Sequence, residues 1–175
     1  MLISLSEIMN LPRIEKHFTC EYGADVFKEG GNEYRILEKK NVEVSIRNLG
    51  GKKLSIKAES GFVLEIPCGR CLVPQRVEIP VDFDEEVDMN ISSTERAQNL
   101  DETEYISGYD LDVDRLIYEE ILLGFPTKVL CDEECKGLCK VCGHNLNEGE
   151  CGCDRTELDP RMSVIRDIFN QVKEV

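Results

Sequence analysis

Residues 41–60, NVEVSIRNLGGKKLSIKAES, place two runs of strict alternation on either side of a Gly-Gly step. Val42, Val44 and Ile46 fall on one face, with Glu43, Ser45 and Arg47 on the other; Leu54, Ile56 and Ala58 then oppose Ser55, Lys57 and Glu59. A period of two is that of a half-buried strand. Gly50-Gly51, inside the turn NLGGKK (48–53), supplies the positive φ that a tight hairpin demands. The pair predicts an antiparallel sheet with one face on a core and one in water.

Working outward, FVLEI (62–66) and VEIPVDFDEEV (77–87) read as two further strands. Val77, Ile79, Val81 and Phe83 share one side, and Pro80 marks an edge or a bulge. Between them lies CGRCLVP, read as a turn. LISLSEI, near the start, reads as a strand or edge segment, KEGGNEY as a turn, and the polar, acidic residues 90–110 as an exposed loop. The period then lengthens. Val113, Leu116, Ile117, Glu120 and Ile121 follow helical spacing, with Asp112 as N-cap and Gly124 as a stop before Pro126. A second helix is predicted where Asp159 caps, Pro160 takes the first position, and Val164, Ile165, Ile168, Phe169 and Val172 form a stripe. The predicted class is α+β: an antiparallel β-sheet or partial barrel with two helices in the C-terminal half and a zinc-knuckle-like cysteine-rich segment. We divide the chain into a β-rich domain (1–130) with a helix near 112–123, a cysteine-rich zinc-binding segment (131–157), and a C-terminal helix (158–175) packing on the same domain.

The 175 residues carry 21 Lys+Arg against 35 Asp+Glu, a net charge of −14. A chain that binds duplexes without regard to sequence does so by neutralising phosphates with Lys and Arg, and this balance argues against that. A basic protein partner suits it better. No apolar run approaches the roughly 20 residues of a bilayer helix, and the opening MLISLSEIMNLP lacks a basic n-region. The expectation is a cytoplasmic protein without membrane contact. In that compartment thiols stay reduced, so metal ligation is the leading use for cysteine.

Six of the nine cysteines crowd into CDEECKGLCKVCGHNLNEGECGC (131–153). Structural zinc takes four ligands in a tetrahedron, and two cysteines separated by two residues reach one ion because a tight turn aims both sulfurs inward. Cys139 and Cys142, followed at once by Gly143, have the form of a zinc knuckle, and Cys151 and Cys153 complete a set of four within 15 residues. Cys68, Cys71, Cys131 and Cys135 form a second set if segments about 60 residues apart meet. The alternatives are a cluster sharing ligands among the six C-terminal cysteines, or one zinc taking Cys68 and Cys71 plus two of the six. The cofactor expected is therefore structural zinc, one or two ions. Cys20 reads as a small buried hydrophobe, His144 as a solvent-facing loop residue, and His17 has no evident role.

Catalysis finds little support. A redox CxxC wants its first cysteine at a helix N-terminus, whereas CGRC sits between strands. All-cysteine zinc sites are closed, lacking the open position of catalytic zinc. DFDEE (82–86) reads as a solvated strand face, and no phosphate-binding loop or nucleophile elbow occurs. The chain is expected not to be an enzyme and to have no small-molecule substrate; a thiol oxidoreductase is the less favoured alternative.

The combination of CGRCLVP between strands, LLGFPTKVLCDEECKGLCKVCGHNLNEGECGC and the closing DPRMSVIRDIF resembles the YceD family, the large ribosomal RNA subunit accumulation proteins. The resemblance is specific from about residue 62 onward, and the cysteine-rich form is similar to that of Gram-positive bacteria. It implies a non-enzymatic ribosome-biogenesis factor supporting accumulation of large-subunit (23S) ribosomal RNA, encoded beside a small, basic large-subunit ribosomal protein. The partners implied are a large-subunit ribosomal protein or a pre-ribosomal particle. A zinc-stabilised RNA-binding module is the alternative, with Arg70, Arg76, Lys136 or Lys140 touching phosphate.

Overall fold

The structure, a computed structural model, describes residues 1–11, 13–90 and 105–154. Among the described residues two units emerge, one of residues 1–67 and 74–129, the other of residues 68–73 together with 130–154. The first unit holds the strands β1 (Leu2–Ser4), β2 (Glu15–Cys20), β3 (Val26–Glu29), β4 (Asn32–Lys39), β5 (Val42–Gly50), β6 (Lys53–Pro67), β7 (Pro74–Asp88), β8 (Ile106–Ser107) and β9 (Asp110–Asp112), with helices α1 (Ser6–Met9) and α2 (Val113–Leu123). The main sheet is antiparallel, ordered β2-β5-β6-β4-β3, with β7 also on β6; a small sheet runs β1-β9-β8. It is an open sheet among the described residues, an arrangement a partial barrel allows.

The expected alternation at 42–47 and 54–59 is the β5–β6 hairpin, with Ile46 opposite Ile56 and Val44 opposite Ala58. FVLEI is not a separate strand. It continues the same strand, and β6 runs 15 residues without a break. The polar step Glu59-Ser60-Gly61 resembles a turn in sequence, but here β6 changes neighbours, from β5 to β4, while β7 follows it throughout. The β4–β5 turn is fastened at this step. Lys40 N–H donates to the Gly61 carbonyl at 2.9 Å, and the Ser60 hydroxyl donates to the Lys40 carbonyl at 3.1 Å. Gly61 lies opposite Pro80, the residue read as an edge or bulge marker.

One face of this sheet is dry. Val42, Val44, Ile46, Leu54, Ile56, Ala58, Leu64, Ile79 and Val81 are buried on it, and α2 adds Leu116, Ile117 and Ile121. α2 begins as expected, with Asp112 Oδ1 accepting from the N–H groups of Asp114 and Arg115 at 3.1 and 3.3 Å. It ends at Gly124, whose N–H donates to the Glu120 carbonyl. Phe27, fully buried, stacks on Phe125 and contacts Tyr118, with ring centroids at 5.6 and 5.2 Å. Of the segment 90–110, residues 91–104 lie outside the described residues. Of its described end, Ser107, Gly108, Tyr109 and Asp110 are exposed as expected, but Tyr105 and Ile106 are buried, and the Tyr105 hydroxyl donates to Glu85 at 3.0 Å. The helix expected at 158–175 also falls outside the described residues. At the start, LIS forms β1 as read, but SEIM is a short helix.

Asn48 ties that helix down. Its buried amide nitrogen donates to the carbonyls of Ile8, Met9 and Leu11 at 2.8, 3.1 and 3.0 Å, and its oxygen accepts from Gly50 N–H at 2.8 Å. These carbonyls belong to the end of α1 and the segment after it, beyond the regular helical ladder; the Ile8 carbonyl also accepts from Leu11 N–H at 3.3 Å. Asn48→Ala removes the side-chain donor from three carbonyls, one of them buried, and is expected to cost about 1–3 kcal/mol. The check is a lowered midpoint of urea unfolding, and Asn48→Asp, which cannot donate, is expected to do no better.

Candidate metal centres

Residues 68–73 join β6 to β7, which pair as far as Pro67 and Pro74. The turn between them is a knuckle. Leu72 N–H donates to the Cys68 carbonyl at 3.0 Å and Cys68 N–H to the Val73 carbonyl at 2.9 Å. At Cys139 and Cys142 the same pattern recurs: Gly143 N–H to the Cys139 carbonyl at 2.8 Å, and Cys139 N–H to the His144 carbonyl at 2.8 Å. In each, the residue after the second cysteine has positive φ, +61° at Leu72 and +74° at Gly143. Glycine takes that conformation freely, whereas leucine gives up about 1 kcal/mol to do so. The two CxxC motifs thus have one backbone design.

Each knuckle aims its sulfurs at a second pair. Cys68, Cys71, Cys131 and Cys135 form one group and Cys139, Cys142, Cys151 and Cys153 another, with all sulfurs in a group within 4.8 Å of one another. No cysteine is shared, so the clustered and single-ion arrangements left open by spacing do not describe this structure. Cys68 and Cys135 sulfurs stand 3.9 Å apart, and those of Cys71 and Cys131 3.5 Å. In a regular tetrahedron with metal–sulfur bonds of about 2.3 Å, the edges are about 3.8 Å. A disulfide would need about 2.05 Å. Both groups could therefore hold a metal ion, and the donor set suits a thiophilic divalent one.

Electrostatics supports this fit. The backbone N–H groups of Cys71 and Arg70 draw the Cys68 thiol down to about 6, and those of Cys142 and Val141 do the same for Cys139, also to about 6. Neighbouring sulfurs oppose further ionisation. Cys135 and Cys71 push Cys131 up to about 12; Cys142 and Cys151 push Cys153 up to about 12. Four thiolates in contact repel one another unless a cation sits among them.

The groups are linked through Asn147, in the loop between Cys142 and Cys151. Its amide nitrogen donates to the Cys135 sulfur at 3.3 Å, and its oxygen accepts from Lys136 N–H at 2.8 Å. Burial pushes the Cys135 thiol up, but the Asn147 amide and the Gly137 N–H outweigh it and lower the net value. Gly137 is held close: a Cβ there would meet the Arg70 carbonyl at 3.1 Å, and its φ is +77°. Arg70 closes the first group, donating to the carbonyls of Glu133 and Cys135 at 3.0 and 2.9 Å.

Of the remaining candidates, Cys20 is buried at the end of β2, where desolvation raises its thiol, and belongs to neither group. His17 is on the exposed face of β2, 3.9 Å from Glu15. His144 contributes its backbone carbonyl to the second knuckle and its side chain to neither group. Asn147 was invisible in sequence because an asparagine in a polar, Gly-containing loop reads as a turn residue.

Two outcomes test this description. Asn147→Ala removes a hydrogen bond to a ligand sulfur from outside the ligand set and is expected to weaken ion binding at the Cys68 group about 10–100-fold, sparing the Cys139 group; competitive chelator titration resolves the two. Acidification should release any ions that the two groups hold. The lowered Cys68 and Cys139 values mean that their thiolates stabilise the folded, ion-free form fully above about pH 8.5, and that this is lost as pH falls through about 6. A bound cation moves the loss lower still, so ion release is expected below pH 6, followed by a chromogenic chelator.

Comparison with known proteins bears on what this arrangement belongs to. The family model described as Large ribosomal RNA subunit accumulation protein YceD matches residues 56–169. The Large ribosomal RNA subunit accumulation protein YCED homolog 1, chloroplastic, of Arabidopsis thaliana is 31% identical over 65 residues, 37% of this chain and 20% of that protein. Uncharacterized proteins of Mycobacterium bovis and Mycobacterium tuberculosis are each 31% identical over 94 residues, 54% of this chain and 45% of theirs. The chain thus spans less than half the length of these relatives. No solved structure matches. The matched stretch takes in most of β6, all of β7 and α2, and all eight cysteines of the two groups, and the chain belongs to the YceD family.

Proposed function

We propose that this chain is a non-enzymatic ribosome-biogenesis factor that supports accumulation of large-subunit (23S) ribosomal RNA in the cytoplasm. It acts by contact with a basic ribosomal protein or a pre-ribosomal particle, and zinc fills both cysteine groups. The observation that carries the reading is the family match over residues 56–169. The all-thiolate groups support a structural rather than catalytic ion, since four protein ligands leave no position for substrate. Among the described residues, no helix is long and apolar enough to cross a membrane.

The chemistry of the partner is read from the wet face of the main sheet. Glu43, Glu59 and Asp82 are exposed and stand directly opposite one another across β5, β6 and β7. Like charges in register destabilise a sheet. A cationic partner laid across the row reverses the sign of that term, which is why a basic protein is the favoured contact.

RNA binding through the cysteine-rich unit has less to support it. Of the four cations suggested for phosphate, Arg70 is engaged with two carbonyls and Arg76 with Glu38. Lys136 and Lys140 are exposed. The described part of that unit carries three cations against six carboxylates, and each zinc tetrathiolate retains two net negative charges.

Purified reduced protein is expected to contain two zinc ions per chain by elemental analysis; none would remove the metal reading. Affinity purification from cells should recover large-subunit ribosomal protein or RNA, and recovery of neither would remove the ribosomal one. Glu59→Gln should stabilise the fold by about 0.2–1 kcal/mol, read as a raised midpoint of urea unfolding, while weakening capture of basic large-subunit proteins. Capture that instead collapses between roughly 50 and 200 mM salt and is abolished by ribonuclease would favour the RNA-binding reading.

A further inference from the structure

The two knuckles match in backbone but differ in the residue after the second cysteine. Gly143 suits its positive φ; Leu72 does not. A Cβ and its branch crowd the backbone in that conformation, and leucine is rarely tolerated there. Packing does not explain its presence, since Leu72 is 61% exposed and Val73 beside it 40% exposed. Leu72 belongs to neither buried cluster, so burial gives little to offset that strain. Strain kept at an exposed residue points to use by a partner.

We propose that Leu72, with Val73, is the apolar anchor of a docking surface on the second unit, and that its occupant is a Lys/Arg-rich protein segment carrying an apolar residue. Charge decides the occupant. The described residues of this unit hold six carboxylates against three cations, and loading both cysteine groups adds more negative charge. The adjacent cation, Arg70, is turned onto the carbonyls of Glu133 and Cys135. An RNA phosphate or an acidic peptide is repelled here, whereas a basic segment is attracted, and the exposed leucine supplies the desolvated contact at which binding energy concentrates. The inference rests on the proposal of a basic ribosomal partner and adds the surface that meets it.

The test uses the full-length, metal-loaded chain, immobilised, with two probes: the protein fraction washed from purified bacterial large ribosomal subunits by concentrated salt, and deproteinised large-subunit RNA. Leu72→Gly relieves the strain and deletes the anchor; Leu72→Met keeps an apolar side chain. Leu72→Gly is expected to retain its metal and melt no lower than the parent, yet to lose about ten-fold in retention of the protein fraction, with Leu72→Met within about two-fold. Unchanged retention by Leu72→Gly overturns the anchor while leaving the ribosomal partner standing. Loss of metal in Leu72→Gly overturns it as well, by giving Leu72 a structural role. Retention of RNA alone, lost in Leu72→Gly, overturns the basic-protein occupant. A parent chain that retains neither probe overturns the ribosomal reading itself.

Discussion

Sulfur stands where an apolar core would otherwise be. In the described part of the second unit, the buried cluster consists of Cys68, Cys71 and Cys135, with Leu130 and Leu138 packed against it. Five such residues cannot offset the conformational entropy of the chain they organise. The two sets of converging sulfurs are placed where a metal ion could supply that cohesion. The rest of that unit follows from this requirement: backbone N–H groups turned toward Cys68 and Cys139, glycine where Arg70 approaches Gly137, and an asparagine bonded to a ligand sulfur. Each supports a sulfur or clears space beside one.

The first unit is organised by different means. Its main sheet is gathered on β6, which pairs with β7 along its whole length and divides its other edge between β5 and β4. A strand shared in this way needs a point of exchange that is neither core nor turn. Ser60 and Gly61 provide it, polar and small enough for Lys40 to lie across. Burial then does the remaining work, since one face of these strands is almost wholly apolar and removed from water.

What could be read from sequence and what could not divide along the same line. Local patterns transfer well: period-two alternation identified β5 and the first half of β6, Asp112 announced α2, and spacing alone grouped Cys139 with Cys142, Cys151 and Cys153. The meeting of Cys68 and Cys71 with Cys131 and Cys135 was an extrapolation, because no local pattern encodes a contact 60 residues apart. The continuity of β6 was missed because Ser-Gly is punctuation in most strands, and only the β4–β5 turn packed on it makes it part of one. α1 was missed for a related reason: four residues have no period, and what fixes them is Asn48, far along the chain.

The separation of the two cysteine pairs also sets an order in time. Cys139, Cys142, Cys151 and Cys153 are synthesised within 15 residues of one another and can close as soon as that stretch is free. Cys68 and Cys71 cannot, because their partners are made 60 and 67 residues later. At roughly 5–20 residues per second, Cys68 and Cys71 wait several seconds before the other two sulfurs of their group are made. All the strands of the main sheet are made before Cys131 exists. The group at residues 68–71 and 131–135 is therefore assembled only after the strands of the main sheet have all been made.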